Sequence, residues 1–149
     1  MELNKVVVKF INGTIMKGRT NDFLPHKKRF HLEQRNGEII EVDVDQLKAI
    51  FFVTDHEGDK NHIKSYNETV PGGGRKIKVT FFDGECIIGY TQGYSTDRNG
   101  FFMTPADLKD NNSRIFVVMS SAVNIEFQRA SLDEKQSTDN KQALNMLKK

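Results

Sequence analysis

The chain has 149 residues, 22 Lys+Arg against 20 Asp+Glu, one cysteine and no tryptophan. That length holds one ordinary domain or two very small ones, and a net charge of +2 is too small to imply nucleic-acid binding by itself. One cysteine excludes an intramolecular disulfide scaffold, no apolar run approaches the ~20 residues of a membrane-spanning helix, and the first residues carry no signal-peptide pattern. The expectation is a small cytoplasmic protein without membrane contact.

Lys5–Gly18 reads KVVVKFINGTIMKG and returns as Lys76–Gly89, KIKVTFFDGECIIG. Aligning Gly13 with Gly84 sets an offset of 71 residues, which also pairs Phe10 with Phe81, Gly18 with Gly89, Phe23 with Tyr94 and Phe30 with Phe101. Further on the offset becomes 75, pairing Ile40, Val42, Ile50 and Phe52 with Ile115, Val117, Ile125 and Phe127. An internal repeat explains this register.

Each copy opens on a period-two strand, Val6-Val8-Phe10 or Ile77-Val79-Phe81. Asn12-Gly13 and Asp83-Gly84 follow, the pairs favoured in a type I′ hairpin. A second strand (14–20; 85–91) contains Gly18 or Gly89, where a strand bends or another backbone comes close. A third strand lies near Phe30–Glu33 and Phe101–Thr104. Asn36-Gly37 turns the first copy into its fourth strand, while Pro105–Ser113 makes a longer connection in the second, with Asp110-Asn111-Asn112 at its tip. Ile39–Val44 and Ala49–Val53 end one copy, Arg114–Met119 and Val123–Phe127 the other, with tight corners at 45–47 and 120–122.

Five short strands bent at a glycine predict a small closed or nearly closed barrel. Val8, Phe10, Asn12, Gly13 and Gly18, with Val79, Phe81, Asp83, Gly84 and Gly89, resemble the SH3-like and Sm-like small barrels. The stretch Leu47–Asp55 with Glu57-Gly58 is similar to an uncharacterised bacterial family of repeats found singly, in tandem or beside PilZ domains. That resemblance implies no activity, and the PilZ signature is absent, so no cyclic-dinucleotide site is carried over. The expected fold is all-β: two tandem five-stranded small barrels at 4–55 and 74–128, a linker at 56–73 with Pro71-Gly72-Gly73, and a polar, partly helical tail at 129–149. In the tail, Ser131 and Glu134 have capping-box spacing. Each barrel alone is near the lower size limit for stability, so the two should pack together, with Phe51-Phe52-Val53 and Phe81-Phe82 as the apolar contact.

Candidate chemistry is sparse. Cys86 has no histidine near it, and its repeat partner Ile15 points to an apolar, buried slot. His56 and His62, with Asp55, Glu57 and Asp59, lack the tight cysteine-rich spacing of structural zinc sites; His26 and His31 stand apart. Asp43 and Asp45, one alternation apart, read as a solvated strand face rather than a glycosidase pair. Gly72–Lys76 runs into a strand, not the helix a phosphate loop requires, and the sequon Asn67-Glu68-Thr69 carries no weight without secretion. No catalytic residue, metal or cofactor is expected.

The most suggestive feature is a loop used twice. Lys27-Lys28-Arg29 occupies the connection between strands two and three, Arg98 matches Lys27 in the second copy, and Phe23 or Tyr94 flanks each. Cations beside ring faces can hold phosphates and stacked bases, although solubility alone also explains such a loop. The leading expectation is a non-enzymatic protein-interaction or regulatory module with strand edges open to augmentation. The alternative is Sm-like binding of RNA or single-stranded nucleic acid through Lys27–Arg29 and Arg98. A homo-oligomer stays open in either case.

Overall fold

A computed structural model describes residues 4–54, 74–94, 98–106 and 112–128. The linker and tail, with His56, His62, the sequon and the capping box, lie outside them. The fold is all-β. Among the described residues ten strands run β1 Asn4–Phe10, β2 Ile15–Thr20, β3 Arg29–Gln34, β4 Ile39–Asp43, β5 Leu47–Val53, β6 Arg75–Phe81, β7 Cys86–Thr91, β8 Gly100–Pro105, β9 Asn112–Val118 and β10 Ala122–Phe127. Single 3-10 turns at Val44–Gln46 and Met119–Ser121 form the corners, each one residue earlier than expected. Asn112, expected at a loop tip, instead begins β9.

The strands make one open antiparallel sheet, ordered β10-β6-β7-β8-β9-β5-β1-β2-β3-β4. Within it β5-β1-β2-β3-β4 and β10-β6-β7-β8-β9 have the same order and the same register. Val6 pairs with Phe52 as Ile77 pairs with Phe127, and Phe30 with Val42 as Phe101 with Val117. Even the irregularity recurs, beside Lys48 on one side and Val123 on the other.

The hairpins correct the type I′ expectation. Type I′ needs positive φ at both central residues, but only the glycines have it, Gly13 at 94° and Gly84 at 92°. The Gly13 N–H donates to the Phe10 carbonyl at 3.0 Å, and the Phe10 N–H donates to the Thr14 carbonyl at 2.9 Å. This is a three-residue loop, a type I turn closed by a glycine bulge. It recurs at Gln34–Glu38 and Phe81–Glu85. In each the Asn or Asp side chain accepts from the backbone N–H two residues on (Thr14, Glu38 or Glu85), which fixes the turn.

β2 and β3 share only two residue pairs, as do β7 and β8. Gly18 and Gly89 sit at these crossings, where a Cβ would strike the carbonyl oxygen of Glu33 or Thr104. The close approach lets each five-strand set curl over its own apolar residues.

Two cores result, and they share a wall. One gathers Val6, Val8, Phe30, Leu32, Val42, Val44, Leu47, Ile50 and Phe52 with Phe116 and Val118 from β9. The other gathers Ile77, Val79, Phe81, Phe101, Met103, Ile115 and Val117 with Ala49, Phe51 and Val53 from β5. Successive side chains of a strand face opposite ways. β5 and β9, paired from Ala49–Val117 to Val53–Asn112, therefore feed both cores, and all seven residues of β5 are buried. The expected contact through Phe51-Phe52-Val53 lies on this seam. Phe82 does not contribute to it: it occupies a hairpin tip and is 46% exposed.

Candidate binding cleft at the seam

The connection before β3 and the corner after β4 are tied together by the backbone. The Val44 N–H donates to the Lys28 carbonyl at 2.9 Å, and at the matching place in the second set the Met119 N–H donates to the Asn99 carbonyl at 2.8 Å. Because β5 pairs with β9, the two tied loops face each other. Between them lies a cleft of about 480 Å³, lined on one side by Lys28, Arg29, Asp43, Val44 and Asp45, and on the other by Arg98, Asn99, Val118, Met119 and Ser120.

Its charges are not equivalent. Arg29 Nε lies 2.6 Å from Asp43 Oδ1, and that hydrogen bond raises the guanidinium pKa above its ordinary value. Lys28 and Arg98 are exposed, and among the described residues neither has a carboxylate partner. Asp43 ends β4 and Asp45 sits in the 3-10 turn, so the two do not share a strand face as expected; both line the cleft.

The other candidates are engaged elsewhere. Lys27 turns away from the cleft, donating to the Asp22 carbonyl at 3.1 Å with its ammonium 3.8 Å from the Asp22 carboxylate. Phe23 packs edge-on against Phe30 and Phe116, with centroids 5.3 and 4.9 Å away. Tyr94 packs against Phe101 and Phe127 at 5.2 and 5.1 Å. Asp22 also accepts from the His31 backbone N–H at 2.9 Å and meets His31 Nδ1 at 2.7 Å. Burial pushes the Asp22 carboxyl up, but the His31 and Thr20 hydrogen bonds and the Lys27 charge outweigh it, leaving the pKa lowered.

A family model described as a family of unknown function, DUF6982, matches residues 2–127. The chain belongs to that family. No curated protein and no solved structure matches it. No helix among the described residues of this DUF6982 chain is long and apolar enough to cross a membrane.

Cys86 overturns its expectation. The thiol is exposed, 3.5 Å from Thr80 Oγ1. The inference from Ile15 failed because Ile15 is itself 56% exposed: both follow a hairpin tip and point away from the cores.

Sequence reasoning missed two cations that close the seam of the DUF6982 chain. Lys48, buried in β5, reaches across to Asp83 at 2.7 Å and to Glu85 in the β6–β7 hairpin, over the ring of Phe81. Desolvation pulls its pKa down, but the hydrogen bonds to Asp83 and Glu85 outweigh that and leave it raised. The Ser121 hydroxyl donates to the Lys48 carbonyl at 2.8 Å. Arg114 in β9 lies 4.4 Å from the ring centroids of both Phe52 and Phe102, and burial lowers its pKa. The available signal was a lysine inside the apolar run LKAIFFV, where the second copy has Val123.

Proposed function

We propose that this DUF6982 chain is a non-enzymatic interaction module: two SH3-like/Sm-like small barrels in tandem, joined through β5 and β9, with the seam cleft as binding surface. The common strand order and register of the two five-strand sets support the barrel pair. The observation that carries the binding reading is the convergence of Lys28 and Arg98, from different halves, on one cleft without carboxylate partners among the described residues. Val44, Val118 and Met119 supply apolar lining, and the volume suits one or two side chains or a small ligand. The ligand class is an acidic segment of a partner protein. Anisotropy with a labelled Glu/Asp-rich peptide tests this: the full chain binds it over a neutral peptide of equal length. Lys28→Glu and Arg98→Glu each weaken binding at least about tenfold, the scale of one lost charge-assisted contact. No preference for the acidic peptide, or variants that bind unchanged, defeats the proposal.

The gathering of cations from both loops also favours a second reading, single-stranded nucleic acid. Base stacking needs free ring faces, and Phe23 and Tyr94 spend theirs on the cores. Labelled oligouridylate bound with a steep salt dependence and lost in the same variants would establish that reading instead.

A further inference from the structure

The seam joins the fourth strand of one five-strand set, β9, to the fifth strand of the other, β5. Such a contact is head-to-tail, and among the described residues it leaves the matching pair unused: β4 at one end of the sheet and β10 at the other. A second copy could in principle repeat the junction and so build a ring or a filament.

The two junctions match at the positions that face their own core, but differ at those that face the neighbouring one. Equivalence by register sets Glu41 and Asp43 in β4 where β9 has Phe116 and Val118, which are 0% and 2% exposed in the first core. It sets Asn124 and Glu126 in β10 where β5 has Ala49 and Phe51, buried in the second. A copied junction would drive these four polar side chains, three of them carboxylates, into apolar surroundings that offer them no partner. The cross-seam fastenings have no counterpart either. Val123 stands where Lys48 does, Asn12 and Thr14 where Asp83 and Glu85 do, and Ile39 where Arg114 does. At the free edges Asp43 is instead paired with Arg29, and Asn124 donates to Glu126 at 2.8 Å.

We infer that Glu41, Asp43, Asn124 and Glu126 confine the junction to a single use, so that the chain is a terminated pair and does not assemble with copies of itself through its sheet edges. Charged residues on exposed edge strands block pairing in this way. The prediction follows for two full-length variants, Glu41→Phe/Asp43→Val and Asn124→Ala/Glu126→Phe, each repaired at one edge only. Light scattering should give the monomer mass of 17.1 kDa for the wild type and for each variant alone. An equimolar mixture should give a finite species of twice that mass, and all four changes in one chain should give longer, concentration-dependent assemblies. If the aromatic changes unfold the chain, the same mixing is read with Glu41→Gln/Asp43→Asn and Glu126→Gln. These remove charge without bulk and should give weaker heterodimers. A wild type that assembles through β4 and β10, or folded mixtures that stay at monomer mass, overturn the inference.

Discussion

Phe116→Ala should destabilise the half of the chain to which the residue does not belong. Phe116 lies in β9 yet is fully buried in the core of the first five strands, its ring 4.9 Å from Phe23 and 5.1 Å from Phe102. Truncating a buried phenylalanine costs about 3–5 kcal/mol, part of it the edge-to-face contacts worth roughly 0.5–1.5 kcal/mol per pair. A domain of this size is stable by about 5–15 kcal/mol, so the change removes roughly a fifth of that or more. Urea unfolding followed by far-ultraviolet circular dichroism reads the total, since the chain has no tryptophan. Native-state hydrogen exchange reads its distribution. The expected result is one transition moved to lower urea, with amide protection falling in β1 and β3 as well as in β8 and β9. Losses confined to residues 75–127, or a total below about 1 kcal/mol, would refute the shared-wall account.

Asp22 and Lys48 are two of the groups that shape the pH dependence of stability. Asp22 has a lowered pKa, so its contribution is complete above the unfolded value of about 3.9 and is lost as pH falls through the folded one; Asp22→Asn should flatten the acid limb of a melting-temperature profile. Lys48 has a raised pKa, so its contribution is complete below about 10.4 and is lost at still higher pH; Lys48→Met should flatten the alkaline limb. Cys86 should react fully with a thiol reagent in the native protein, and protection until unfolding would contradict its exposed placement.

Strands were legible because alternation and turn residues are local signals. Val6-Val8-Phe10 and Asn12-Gly13 announce a strand and a turn within a few residues. The turn type was not legible, because Ile11 and Phe82 are apolar and read as strand although they occupy hairpin loops. The same ambiguity hid the exposure of Ile15 and Cys86: apolar character at the end of a hairpin says nothing about which way the side chain points. Ala49–Val53 was legible as an apolar strand, although the strand starts already at Leu47, which was read as corner; its lack of alternation is the mark of burial on both faces. β9 was legible as a strand too, but its pairing with β5 was not, since strands some sixty residues apart leave no local trace of pairing. The cleft shares that fate. Lys28 and Arg98 were recognisable as matching loop cations, but only the β5–β9 pairing turns them toward one space.

The account rests on the two five-strand sets depending on each other through the seam. A fragment of residues 1–59 tests this most directly. It retains β1–β5 but lacks Phe116 and Val118, and it strips Ala49, Phe51 and Val53 of the β6–β9 side chains they share a core with. The prediction is a fragment without a cooperative thermal or urea transition. A cooperatively folded fragment as stable as the whole chain would contradict it.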